Sequence, residues 1–114
     1  MRADMSKADA QQMAALHDTF EHPFCIGADH PSLPGHFPGH PLVPGVILLE
    51  QVAAALRQWR GQRLARVVEA KFVAPLLPDE AAAVRLTSAT AARLRFEIFR
   101  GGTLLARGTI EAVA

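Results

Sequence analysis

The most hydrophobic stretch of the chain runs from Leu42 to Leu56, and its part from Val46 onward leaves almost no polar face. That part follows a Pro-Gly pair and predicts an α-helix over residues 46–59, ended by Gly61. A helix that is apolar all round is normally a buried one. We therefore expect this helix, including its single carboxylate Glu50, to lie at the centre of the domain.

Alternating apolar and polar positions predict β-strands on both sides of the helix. In residues 92–100, three apolar side chains alternate with charged ones, which is the pattern of a half-buried strand. Two glycines then predict a hairpin turn. One strand, a helix and four more strands predict an α+β fold, an antiparallel sheet of about five strands wrapped round one helix. The other predicted strands are 17–28, 64–73, 82–89 and 103–113, the last with Leu104, Ala106, Gly108, Ile110 and Ala112 on one face.

Composition narrows the class of protein. With 114 residues, half of them hydrophobic, the chain predicts a single domain over 1–114, with 1–14 as an N-terminal extension. The one cysteine, Cys25, excludes an intramolecular disulfide, and we expect it to be a small buried strand residue. We see no secretory signal and no apolar run of membrane-spanning length, so we expect a cytoplasmic protein. A net charge of +1 argues against nucleic-acid binding.

The candidate chemistry lies at the start of the predicted helix. Residues 29–44 contain five prolines and form a predicted ordered loop that carries His36. A histidine can exchange a proton near neutral pH, and a carboxyl group among apolar side chains favours its protonated form. His36 and Glu50, 14 positions apart, therefore have the properties of a general base and a general acid. In the alternative, both residues are structural and not catalytic: His36 packs on prolines, and Glu50 caps structure elsewhere in the core.

The segment from His36 to Glu50 resembles the signature of the 3-hydroxyacyl-acyl carrier protein dehydratases of the FabZ/FabA type. That signature is His-Phe-Pro-Gly-x-Pro-x-x-Pro-Gly-Val, then three mostly apolar residues and Glu or Asp, and every fixed position is met. Residues 71–79 are similar to a second, weaker family motif, Lys-Phe-x-x-Pro-x-x-Pro-Gly-Asp. The resemblance implies a hotdog fold and dehydration of carrier-bound 3-hydroxyacyl thioesters to trans-2-enoyl thioesters, in fatty-acid or polyene-type biosynthesis.

The same resemblance assigns roles to individual residues. His36 would remove the C2 proton, and Glu50 would protonate the departing C3 hydroxyl. Gly45 and Val46 open the helix, and the N–H groups there suit a thioester oxyanion, which substrate approaches closely because Gly45 has no side chain. Three apolar residues near the helix start either line an acyl tunnel or fill the core: Phe37, Leu42 and Val43.

The resemblance also implies partners. The substrate would arrive on the phosphopantetheine arm of an acyl carrier protein, with no cofactor bound by the chain itself. A dimer is expected, most simply a homodimer although a heterodimer or higher oligomer is possible, in which His36 of one subunit faces Glu50 of the other. Four arginines after the helix either dock the acidic carrier protein or form a solvated helix end. They are Arg57, Arg60, Arg63 and Arg66.

Other features leave alternatives open. His30, His36 and His40 lack the spacing and further ligands of a convincing metal site, so we expect no metal. Many family members have Gln where this chain has Ala54, and Gln51 is a candidate replacement. Two functions compete with dehydration. One is that of a non-catalytic acyl-binding subunit in a heterodimer. The other is that of a hotdog thioesterase with a helix carboxylate as base or nucleophile.

Overall fold

The computed structural model describes residues 18–30 and 42–114. Every predicted helix and strand is present in it, with ends shifted by no more than three residues. The predicted extension 1–14 and most of the predicted loop 29–44 lie outside the described residues. The elements are β1 (Thr19–Cys25), α1 (Gly45–Arg60), β2 (Arg63–Phe72), β3 (Ala81–Ser88), β4 (Arg93–Arg100) and β5 (Thr103–Val113).

The five strands form one sheet in the order β1-β3-β4-β5-β2, and each neighbouring pair is antiparallel. The helix α1 lies on one face of this sheet and packs against β1, β2 and β3. It ends at Gly61, which has a left-handed φ of 67° and donates its N–H to the Arg57 carbonyl at 2.8 Å. A glycine adopts that backbone conformation without steric cost, so the predicted helix end is confirmed.

The core fills the space between helix and sheet. Alternate residues of β3 and β4 point inward, and the largest of these buried side chains is Phe96. The helix contributes five buried side chains to the same core: Ile47, Leu48, Val52, Ala55 and Leu56. Within residues 18–30 and 42–114, no helix has the length and apolarity that crossing a lipid bilayer requires.

Full burial of the helix was a wrong prediction for the single chain. The sheet covers one side of α1, and Val46 on the other side is 62% exposed. Glu50 lies one turn further along that side and is also exposed. The side of the helix that its own sheet leaves uncovered therefore carries an exposed apolar residue, Val46, beside the exposed acid Glu50.

Two strand predictions also need correction. Leu105 is fully buried, whereas Leu104 is only partly so. The reason is an irregularity in the pairing of β4 with β5, where Ile98 pairs with Ala106 but Phe99 pairs with Leu104, which leaves Leu105 as an extra residue. Cys25 is exposed rather than buried, because it occupies an outward position at the end of β1.

Candidate active site

The first turn of α1 leaves backbone donors available. Pro44 precedes the helix in an extended conformation, and its carbonyl accepts the N–H groups of Ile47 at 3.0 Å and Leu48 at 3.3 Å. The N–H groups of Gly45 and Val46 have no hydrogen-bond partner among the described residues. No side chain caps this end and no acidic residue lies in the first turn. These two donors can therefore bind a ligand oxygen at the positive end of the helix dipole.

The absence of a side chain at Gly45 has a packing reason. A Cβ built at this position would lie 2.9 Å from the ring of Phe72, closer than real Cβ atoms approach other atoms. Phe72, at the end of β2, therefore rests directly on the helix start while 48% of it stays exposed. Gly45 is expected to let substrate approach closely, but in the single chain the Phe72 ring occupies the space that a side chain would take.

Glu50 is the one acidic residue of α1, and the structure places it on the open side of the helix. It has no hydrogen-bond or ion-pair partner among the described residues. Burial of Glu50 in the core of its own chain was expected, and that expectation is wrong, since the sheet covers the opposite side. Val46 lies one turn earlier and Arg57 two turns later on the same open face, because residues four and seven apart share a side.

His22 joins β1 to two turns of the helix, a contact that the sequence analysis missed. Its ring nitrogens lie 2.9 Å from Gln58 Oε1 and 3.1 Å from Gln51 Oε1. Gln51 is therefore engaged with β1 and does not compensate for the half-buried Ala54 beside Glu50. The sequence did contain a signal for this contact. Two glutamines lie seven residues apart on one side of the helix, and His22 is at an inward-facing position of β1.

Three apolar residues are expected to line a tunnel or fill the core, and one of them, Phe37, lies outside the described residues. The histidines His36 and His40 also lie outside the described residues. Leu42 is half-buried. Val43 is 6% exposed, belongs to the core and donates its N–H to the Leu76 carbonyl at 2.9 Å. The structure therefore favours the core alternative for Val43.

The four arginines after the helix do not have equivalent surroundings. Arg66 donates to Glu111 at 3.0 Å, and Arg93 binds the other oxygen of the same carboxylate at 2.6 Å. These two hydrogen bonds lower the pKa of Glu111 to about 2, and the one from Arg66 has the larger effect. The same contact raises the pKa of Arg66. Arg66 is thus engaged within the sheet.

The other three arginines are distributed between helix and strand. The Arg60 guanidinium lies over the Trp59 ring, 4.2 Å from its centre. Arg57 and Arg63 are exposed, and their side chains have no ion-pair partner among the described residues. Of the predicted docking cations, these two are the ones most available to a negatively charged partner.

The surface grooves of the described residues lie away from this site, and no cluster of metal ligands is found among those residues. Two surface grooves of about 480 Å³ and 550 Å³ lie among outward side chains of the sheet, such as Arg85 and Arg107, and neither includes Glu50 or Gly45. In the part of the chain that the structure describes, no three His, Cys, Asp or Glu residues cluster as metal ligands would.

Comparison with known proteins shows the family of this chain. A model of the ApeI-like family, described as ApeI dehydratase, matches residues 12–109. The chain belongs to the ApeI-like dehydratase family. The 3-hydroxyacyl-[acyl-carrier-protein] dehydratase FabZ of Thermus thermophilus is 34% identical over 106 residues, which are 93% of this chain. The chain spans 61% of the length of that relative. The resemblance to FabZ-type dehydratases is confirmed.

Solved structures agree on the fold of this ApeI-like chain. A structure of the dehydratase heterocomplex ApeI:P from Xenorhabdus doucetiae superposes with a TM-score of 0.74 at 20% identity, covering 86% of this chain and 89% of that one. A 1,4-dihydroxy-2-naphthoyl-CoA thioesterase from Synechocystis gives a TM-score of 0.59 at 20% identity, covering 83% and 80%. The predicted hotdog fold is confirmed, and it is shared by dehydratases and thioesterases alike.

Proposed function

We propose that this chain dehydrates 3-hydroxyacyl thioesters carried on acyl carrier protein to trans-2-enoyl thioesters. His36 removes the proton from C2, and Glu50 gives a proton to the C3 hydroxyl, which leaves as water. The electrons of the broken C2–H bond form the new double bond. The backbone N–H groups of Gly45 and Val46 stabilise the negative charge that develops on the thioester oxygen.

The position of Glu50 is the observation that carries the proposal. In a helix otherwise rich in apolar side chains, this one carboxylate lies on the face that the sheet leaves uncovered. It is one turn beyond the N–H group of Val46, which has no hydrogen-bond partner among the described residues. A proton donor and an oxyanion site on one face of a helix are what loss of water next to a thioester requires. Membership of the ApeI-like dehydratase family supports the same reaction.

The open face also supports assembly with a second subunit. In the single chain, both the apolar side chain of Val46 and the carboxyl group of Glu50 are exposed to solvent. The outer edge of β2 has no strand partner among the described residues. We infer a dimer in which the partner covers this face and His36 of one subunit reaches Glu50 of the other. A homodimer is the simplest form, and the ApeI:P heterocomplex supports a heterodimer as the alternative.

The test is formation of enoyl product from 3-hydroxyacyl carrier protein over a series of chain lengths. Both His36→Ala and Glu50→Gln should lower turnover by roughly a hundredfold or more, since each removes one proton-transfer partner. Glu69→Gln is the matched control, because Glu69 is an exposed carboxylate on β2 without an ion-pair partner among the described residues. Near-normal dehydration by either site variant refutes the mechanism.

Mixing the two inactive variants tests whether the site is shared. A mixed dimer has one site with both His36 and Glu50 intact and one with neither. Random exchange of subunits should therefore restore about a quarter of the wild-type activity if the dimer is symmetric. No recovery after verified subunit exchange would place both residues of a site in one chain.

Product analysis also separates the competing functions. Free acid with released thiol identifies a thioesterase, which the structural similarity to the Synechocystis enzyme makes the second candidate. Acyl-chain binding without any product identifies a non-catalytic partner subunit of a heterodimer.

A further inference from the structure

Phe72, the last residue of β2, lies beside the start of α1. The outer end of its ring points at Gly45, because the ring atoms Cζ, Cε1 and Cε2 would lie 2.9, 3.2 and 3.3 Å from a Cβ at that glycine. These are the three nearest heavy atoms that such a Cβ would meet. The ring therefore fills the space beside Gly45 so closely that not even one more carbon atom fits there.

The backbone that carries this ring is held by the irregularity in β5. The N–H groups of Val73 and Ala74 both donate to the Leu105 carbonyl, at 2.7 Å and 3.2 Å. Leu105 is the extra residue in the pairing of β4 with β5, and its side chain is fully buried. The end of β2 is thus anchored to the core directly after Phe72, and the ring can leave the helix start only by rotation of its own side chain.

The ring is also close to the two backbone donors of the proposed oxyanion site. A Cβ lies about 2.5 Å from the nitrogen of its own residue, so the end of the ring is no more than roughly 5.4 Å from the Gly45 nitrogen. The N–H groups of Gly45 and Val46 have no hydrogen-bond partner among the described residues. A thioester oxygen bound to them would bring the carbon atoms next to its carbonyl within reach of Phe72.

The surface around this end of the helix is apolar. Among the described residues, five large hydrophobic side chains are exposed. Four of these belong to the helix start, the end of β2 and the connection that follows it: Val46, Phe72, Val73 and Leu77. That connection is bonded to the chain before the helix, since the Leu76 carbonyl accepts the Val43 N–H. Exposed apolar side chains around one site are typical of ligand-binding surfaces, which supports contact between Phe72 and substrate.

We propose that Phe72 is a specificity-determining residue, whose ring forms one wall of the thioester site and excludes substrates with a branch at C2. This inference rests on the proposed function. C2 is bonded directly to the thioester carbonyl carbon, so a methyl group on C2 lies nearer to the bound oxygen than a branch anywhere else on the acyl chain. Because the ring already fills the space beside Gly45, a straight chain fits next to the donors, whereas a branched one meets Phe72.

Removal of the outer end of the ring tests this inference. Phe72→Leu keeps an apolar side chain but lacks the three ring atoms nearest to Gly45. The substrates are a straight-chain 3-hydroxyacyl carrier protein and the same chain with a methyl group at C2, in both configurations. The branched chain still has one hydrogen on C2 and can lose water.

The expected result is a change of preference. The ratio of kcat/KM for the branched substrate to kcat/KM for the straight one should rise about tenfold or more in Phe72→Leu, because a single methyl group in a hydrophobic site discriminates by at least this factor. The change in the ratio is the readout, since a methyl group at C2 also slows proton removal in the wild type. Phe72→Ala should raise the ratio at least as much as Phe72→Leu.

Phe99→Leu is the matched control. Phe99 is a half-buried phenylalanine on β4, with the Arg85 guanidinium 5.0 Å from its ring centre. It lines a groove of the sheet that includes neither Gly45 nor Glu50. The same substitution at this position should leave the ratio unchanged. Sedimentation velocity of every variant shows whether its assembly is that of the wild type.

The outcomes are distinct. A wild-type chain that makes no enoyl product from the straight substrate overturns the proposed function and with it the selectivity role. An active wild type whose ratio is unchanged in both Phe72→Leu and Phe72→Ala overturns the role of Phe72 alone. An altered oligomeric state with an unchanged ratio assigns the ring to subunit contact and also overturns that role. An equal rise in Phe99→Leu overturns it as well, because the effect is then not local.

Discussion

Gly108, in the middle of β5, lies where two other parts of the core leave no room for a side chain. A Cβ at this position would collide with the carbonyl oxygen of Glu69 on β2 and would lie 2.5 Å from the Phe96 ring. The first obstacle is the backbone of a paired strand, since Ala70 on β2 is the register partner of Gly108. A side chain could turn away, but a paired strand can move only by breaking its ladder.

The net effect of Gly108→Ala follows from two opposing terms. Alanine is favoured over glycine in a strand by about 0.5–1 kcal/mol, because the unfolded glycine chain has more freedom. Overpacking a filled site costs typically about 1–3 kcal/mol, and a backbone obstacle places this site at the upper end. We therefore expect a loss of about 2–2.5 kcal/mol, which corresponds to a melting temperature lower by roughly 8 to 20 °C for a domain of this size.

Thermal unfolding followed by circular dichroism, with urea titration as a second measure, tests this expectation. Gly102→Ala is the control, because a Cβ there would have no neighbour within 4 Å and the residue has no positive φ. That control should melt within about 2 °C of wild type. If Gly108→Ala melts with the control, β2 can shift at little cost, and the explanation of Gly108 by close strand approach is wrong.

Surface contacts give three further predictions. The pKa of Glu111 is lowered on folding, so its stabilising effect is complete above the ordinary carboxyl pKa and is lost as the pH falls toward about 2. The melting-temperature difference between wild type and Glu111→Gln should therefore shrink on acidification below about pH 5, and a growing difference would contradict the ion pairs. His22→Leu should lower the free energy of unfolding by about 1–2 kcal/mol, because two polar contacts with the helix are lost; an unchanged urea midpoint would show that they contribute nothing. Arg57→Glu combined with Arg63→Glu should raise KM for carrier-bound substrate more than for a short thioester analogue, and equal effects on both substrates would return these arginines to the role of solvated surface.

Much of the fold could be predicted because its signals are local. Two-residue alternation in β4, glycines at the hairpin and Gly61 after the helix depend only on neighbouring residues and the stereochemistry of the chain. The family was equally accessible, since the segment from His36 to Glu50 matches the dehydratase signature at every fixed position.

The surroundings of the candidate site could not be predicted in the same way. The sequence shows that α1 is apolar and contains one acid, but the order β1-β3-β4-β5-β2 decides which side of the helix is covered. Glu50 is exposed for this reason, although its neighbours along the chain are hydrophobic. Likewise, pairing across strands brings Arg66 and Arg93 to Glu111, residues that are far apart in sequence.

The sequence by itself therefore determined the elements and the dehydratase family, and it named the candidate residues for the site. The tertiary structure alone decided that Gln51 contacts His22, that Phe72 fills the space beside Gly45 and that Val43 bonds to the Leu76 carbonyl. The physical reason is that propensity and periodicity act over a few neighbouring residues. Contacts between distant segments depend on strand order and register, which are fixed only when the whole core is packed.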